Sequence, residues 1–289
     1  MFQDIIVNGL INGSIYALLA IGFSLIFGVA RLVNIAHTAF YMACAYLIHV
    51  GFSYWGLSMP LAIVLSIGLT TIIGLVCYRL FIKPIREYEA AVLIATIALG
   101  MVFQEVMLIA FKGHMMGVPP VATGFVILGG VKVANQHLLV LGVAVLALVV
   151  TWFLLMKTRV GLAIRCTAQD SEIANLMGMN VDREIMIALI VSVVLAGVAG
   201  AIVVPLRVID PHMWLPPLIM MLAVVVLGGL GSVKGSFVAS YILGFTEAAV
   251  AIGLPMGSFL KGSVALSIMI IVLLIRPEGL FGIAFEEER

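Results

Sequence analysis

The chain reads as long apolar runs separated by short polar connections. A helix crossing a bilayer needs about 20 mostly apolar residues. That spacing predicts segments near 5–29, 35–53, 57–81, 90–111, 137–156, 184–204, 216–230, 236–253 and 260–275. The second can also be read as a broken or tilted helix, which leaves eight full spans as the alternative to nine. Residues 112–136 hold Gly113, Gly117, Pro119, Pro120, Gly124, Gly129 and Gly130, residue types that break a chain into turns. Within them ILGGVKV places a Gly-Gly pair between two short apolar arms, the pattern of a small hairpin. No internal repeat is visible, although transporter repeats leave only weak traces in sequence.

Composition fixes the solvent of this fold. The 289 residues are 64% hydrophobic and 10% charged, with mean hydropathy +1.27, against roughly 45–50% apolar residues in soluble domains. The expectation is an all-α integral membrane bundle of 8–9 spans forming one domain over residues 1–289. The N-terminal MFQD lacks a positive region and no small-residue cleavage site follows, so the first run is read as a retained span. Cytoplasmic loops collect Lys and Arg. With nine segments and the N-terminus outside, eleven such residues fall inside and four outside (Lys112, Lys132, Arg207 and Lys261). The N-out, C-in orientation follows, with an extracytoplasmic loop at 112–136 and a cytoplasmic loop at 157–183. The net charge of +1 suggests no nucleic-acid partner. Cys44, Cys77 and Cys166 suggest neither a disulfide framework nor a metal site, and no cofactor is expected.

The cytoplasmic loop carries RCTAQDSEIANLMGMNVDR, Arg165 to Arg183, an unusually polar stretch for this chain. Thr167 to Asp170 fits a capping box loosely, and Asp170 or Ser171 could cap instead. Gly178 is placed to stop the helix. Between them Ile173, Leu176 and Met177 fall at i, i+3 and i+4, one apolar face on a short helix near 168–178. Two turns are too few to be stable alone in water, so this helix must lie on the membrane or dock into something. Lipid-seeking helices carry Lys or Arg on the polar face, whereas this one has Asp170, Glu172 and Asn175. Its acidic character favours a protein groove.

Polar side chains also recur inside the spans. Asn8, Asn12 and Tyr16 form one stripe, beside Gly9 and Gly13 in a GxxxG that permits close packing. Arg31, Asn34, Thr38 and Tyr41 form a second, with His37 alongside, and Ser240, Gly244 and Glu247 a third. Such stripes must face other helices or water. Hydrogen bonds between helices explain any one of them, and the first two are the candidates for a translocation pathway. Glu105 and Glu247 lie deep in their spans, where an acidic residue costs about 2.5–3.5 kcal/mol. Gly228, Gly229 and Gly231 serve either as a hinge or as close packing. RPEG breaks the last helix at Pro277, and FEEER beyond it reads as solvated.

Four stretches, in order along nearly the whole chain, resemble the permease subunits of bacterial branched-chain amino acid ABC importers, and among the two paralogous permeases the shorter one. They are NGLINGSIYALLAIGFSLIFGVARLVNIAHTAFYMACAYL, AQDSEIANLMGMNVDR, VLGGLGSVKGSFVAS and LLIRPEGLFG. The resemblance implies a multi-pass protein of the inner membrane that transports branched-chain or related amino acids. It implies as partners two ATP-binding subunits, a second paralogous permease in a heterodimer, a periplasmic amino-acid-binding protein and membrane lipid. It makes the middle stretch a coupling helix, with Asp170, Glu172, Ala174, Leu176, Gly178 and Asn180 meeting the ATPase. No GxxxxGK[ST] P-loop is present, so ATP hydrolysis is expected in the partner subunits, with no catalytic residue in this chain. The alternative is a secondary transporter coupled to an ion gradient through Glu105 and Glu247.

Overall fold

The computed structural model describes residues 2–128, 131–254 and 256–282. Its helices are α1 (Phe2–Ala30), α2 (His37–Ser53), α3 (Met59–Cys77), α4 (Glu89–Phe111), α5 (Asn135–Lys157), α6 (Arg159–Gln169), α7 (Ser171–Leu176), α8 (Val181–Val203), α9 (Leu215–Gly228), α10 (Val233–Gly253) and α11 (Gly257–Ile275). Strands β1 (Phe125–Leu128) and β2 (Val131–Ala134) pair antiparallel, Phe125 opposite Ala134. These are the arms of the expected hairpin. Its Gly129-Gly130 pair and the FEEER tail lie outside the described residues. Among the described residues six helices are long and apolar enough to cross a membrane: α1, α3 with its extension to Ile85, α4, α5, α8 and α10. The protein is a multi-pass membrane protein.

Burial is graded across the bundle. In the most apolar stretch of α1, 83% of residues are buried, against 22% in α4. Helix α1 sits in the middle, packed by α10, α8, α5 and α9. The second inner element is α2, with every side chain from Ala36 to Tyr46 buried and α8 and α3 against it. Between α1 and α2 the chain is not helical. Arg31 takes φ 55°, and the next residues run without regular structure until the turn that opens α2. Backbone of this kind needs partners inside a bundle. Thr96 of α4 supplies one, its hydroxyl accepting from the Ile35 amide at 3.2 Å while lying 3.0 Å from the Leu93 carbonyl.

Close approach of α1 and α10 depends on glycine. A Cβ on Gly244 would stand 2.6 Å from the Gly13 Cα, and one on Gly13 would press the Tyr241 Cα at 3.2 Å. This is the packing the GxxxG pattern permits. Gly244→Ala is expected to destabilise the bundle by about 1–3 kcal/mol through overpacking, read as a lower thermal midpoint in detergent. Gly68→Ala, in α3 with open space around its Cβ, should leave that midpoint unchanged.

The glycines after α9 are turn residues. Gly229 and Gly231 have φ of 98° and 80°, a region that side chains with a Cβ rarely enter. The last carbonyls of α9 would otherwise lack partners. The Leu280 and Phe281 amides donate to Leu227 and Gly228 at 2.8 and 3.0 Å, so the segment after RPEG folds back and seals this end of α9.

Candidate functional site

The polar loop forms two helices rather than one. Thr158 starts α6, its hydroxyl accepting from the Gly161 amide at 3.0 Å. Gly161, Ile164 and Thr167 are the buried face of α6. Thr167 is therefore interior to α6 and is not the cap of the following helix. Asp170 is that cap: its extended backbone (φ −153°) ends α6, and its Oδ1 accepts from the Glu172 and Ile173 amides, both at 2.9 Å. Helix α7 then closes on a left-handed Gly178 (φ 82°), with the Gly178 amide on the Asn175 carbonyl and the Met179 amide on Ala174. That pair of bonds is a Schellman stop. Asn180 caps α8 in turn, accepting from the Arg183 amide at 3.0 Å.

Two of the six expected coupling residues thus set the ends of α7, Asp170 and Gly178, and a third, Asn180, starts α8. Glu172 and Leu176 are exposed on α7. Ala174 is turned inward, 2% exposed, and seats α7 on its own subunit. Ile173, Met177 and Leu176 stand outward, Leu176 at 86% exposure. Capped at both ends, α7 and the Met177 that follows it thus present an open apolar triad.

Beside α7 lies a polar recess of about 620 Å³, where Glu172, Asn175 and Asn180 face Arg86 and Asp182. Asp182, in the first turn of α8, pairs with Lys83 at 3.0 Å and with Arg86. These cations sit on the connection from α3 to α4, where the chain passes through a π turn (Tyr78–Ile82) and a 3-10 turn (Lys83–Ile85). The foot of α8, directly after α7, is therefore tied to the feet of α3 and α4.

The two candidate pathway stripes differ in burial. Asn8 is exposed and its amide donates to the Asp4 carbonyl at 2.8 Å, Asn12 is half-buried, and the buried Tyr16 hydroxyl donates to Glu247 Oε2 at 2.5 Å. The first and third stripes meet each other within the α1–α10 contact. Asn34, Thr38 and Tyr41 are all buried, and of these only Asn34 lines a described cavity, of about 10 Å³. His37 is buried too, its Nδ1 3.1 Å from the Ser192 hydroxyl. Glu105, by contrast, is exposed on α4, next to Gln104, which accepts from the Trp214 indole at 2.9 Å.

Comparison with known proteins decides the family. The family described as branched-chain amino acid transport system / permease component matches residues 5–275. This chain belongs to that permease family. It is 29% identical over 292 residues to the high-affinity branched-chain amino acid transport system permease protein BraD of Pseudomonas aeruginosa, covering 96% of this chain and 94% of that protein. It is 27% identical over 290 residues to the corresponding permease protein LivH of Escherichia coli, covering 95% and 94%. Among solved structures it is similar to PsaBC from Streptococcus pneumoniae in complex with Fab, with a TM-score of 0.53 at 16% identity over 96% of this chain and 97% of that one. At that identity the likeness concerns the fold alone.

Sequence reasoning missed two parts of this permease's α7 face. Helix α6 escaped because its buried face contains a glycine and a threonine in place of an apolar repeat. The Asp182 link joins residues 96 positions apart. Its one available signal was a lone acidic residue and a Lys-x-x-Arg pair assigned to the same side of the membrane.

Proposed function

We propose that this permease is the membrane-spanning subunit of an ATP-driven importer for branched-chain or related amino acids, lying in the inner membrane with its N-terminus outside and C-terminus inside. A periplasmic binding protein delivers the substrate, two ATP-binding subunits supply the work, and a second, paralogous permease completes the passage. The observation that carries this reading is α7: a capped, outward apolar triad on an acidic helix, which suits a recess in another protein and is repelled by an anionic leaflet.

Motion of the ATPase would enter at α7. It would pass directly into α8 and, through Asp182 to Lys83 and Arg86, into α3 and α4. The outward face of α4 suits the lining of the passage, because Glu105 is exposed there among Met101, Val102, Val106 and Ile109. An acidic side chain at that depth needs water or a protein partner rather than lipid. The ion-coupled alternative has its two carboxylates on unrelated faces, Glu247 inside the α1–α10 contact and Glu105 outside on α4.

Cross-linking tests the docking. With Cys166 replaced by Ser, a short cross-linker on Glu172→Cys in membranes holding the whole assembly should capture an ATP-binding subunit. Capture of lipid, or of nothing, while that subunit is present would overturn the reading.

A further inference from the structure

An apolar groove of about 540 Å³ runs between α5 and α10, lined by Ile21, Val145, Val149, Trp152, Phe237 and Val238 among others. Both helices pack on α1, and Ile21 of α1 also lines the groove. The lining spans Val145 to Met156 on α5, about 16 Å at 1.5 Å per residue. That is about half the ~30 Å hydrocarbon core of a bilayer, so the groove occupies one leaflet, the one nearer α6 and α7. The two lining hydroxyls are already engaged: Thr151 donates to the Ala147 carbonyl at 2.8 Å, and Tyr241 lies 3.0 Å from the Ser14 hydroxyl. The groove wants a purely apolar occupant.

Its mouth has the opposite character. A second cavity of about 180 Å³ shares Leu155, Met156, Val233 and Lys234 with the groove and adds Arg165. Lys234 and Arg165 are exposed, and neither cavity is lined by an acidic residue. Trp152, an amphipathic ring of the kind enriched where membrane meets water, also lines the groove.

We propose that this groove holds an acyl chain of an anionic phospholipid of the cytoplasmic leaflet, with the phosphate at Lys234 and Arg165. The inference rests on the orientation given above, which puts α6 and the start of α10 on the cytoplasmic side. The cationic mouth at Lys234 and Arg165, beside a wholly apolar groove, favours a lipid chain with its headgroup over a transmembrane helix of a partner. Charge favours an anionic headgroup, since the cytoplasmic leaflet carries such lipids and each Lys or Arg near its surface strengthens binding about fivefold.

The test uses the full-length protein in nanodiscs of equal phosphatidylglycerol and phosphatidylcholine, with lipid retained after gentle extraction read by native mass spectrometry. Wild type should retain phosphatidylglycerol preferentially, Lys234→Gln should cut that preference about fivefold, and Val149→Trp, which fills the groove from an exposed position, should lose both lipids. Equal retention of the two lipids by wild type would overturn the proposal, as would an unchanged preference in Lys234→Gln or full retention in Val149→Trp. A photo-reactive group at position 149 should capture lipid, and capture of a protein helix instead would also overturn it. Retention is read without transport, so its failure leaves the import reading standing, and failed import leaves retention standing.

Discussion

Leu176→Asp should leave the permease folded and inserted while abolishing its grip on the ATP-binding subunits. Leu176 is 86% exposed and rests on nothing in its own chain that its loss would unsettle. Asp170 and Gly178 hold α7 from its two ends, and Ala174 seats it from below, so the helix itself survives the change. In a partner's recess the leucine contributes about 1.5–3 kcal/mol by leaving water. Its replacement brings an unpaired carboxylate that must be desolvated as well. The expected result is at least a thirtyfold weaker association of subunits, since about 2 kcal/mol corresponds to that factor. Pull-down of the ATP-binding subunits and uptake of radiolabelled leucine should fall together, with membrane content and thermal midpoint at wild-type values. Wild-type uptake in this variant would remove α7 as the coupling element.

How much of this was readable beforehand differs by element, for physical reasons. Apolar length alone places helices, because a bilayer demands it: each of the nine predicted runs contains a helix, though among the described residues six helices, rather than eight or nine, are long and apolar enough to cross a membrane. Helix α7 was legible because its signals are local: an Asp cap, a Gly stop and an i, i+3, i+4 triad within eight or nine residues. The rank order of burial was not legible. Sequences such as those of α1 and α4 are both apolar all round, and only the packing decides that α1 is enclosed and α4 faces outward. The polar stripes show the same limit. Spacing says that Asn8, Asn12 and Tyr16 share a face and that lipid cannot satisfy it. It does not say whether the face meets water or another helix, and Tyr16 meets Glu247, 231 residues away.

The second large effect concerns Asp182, where geometry separates a folding role from a transmitting one. Its pairs with Lys83 and Arg86 are half-exposed, and exposed ion pairs contribute about 0–1 kcal/mol to stability. If they served folding alone, breaking them would matter little. They lie, however, between the helix that follows α7 and the turn that joins α3 to α4, so they offer a route for a push on α7 to reach α4. Asp182→Arg places a third cation against Lys83 and Arg86 and drives the two feet apart. The expected outcome is a thermal midpoint close to wild type, intact association with the ATP-binding subunits, ATP turnover retained and uptake reduced about tenfold or more, the counterpart of about 1.4 kcal/mol of lost coupling. Leu176→Asp loses association, whereas this variant keeps it, so the two lesions are distinguishable. The reversed pair decides the mechanism. Arg86→Asp combined with Asp182→Arg restores an attraction of the same sign and place, and uptake should recover severalfold over Asp182→Arg alone. Recovery would show that what α8 and the α3–α4 turn need is attraction between them rather than the particular residues that carry it. A double variant no better than the single one would mean that α7 moves the permease by α8 alone.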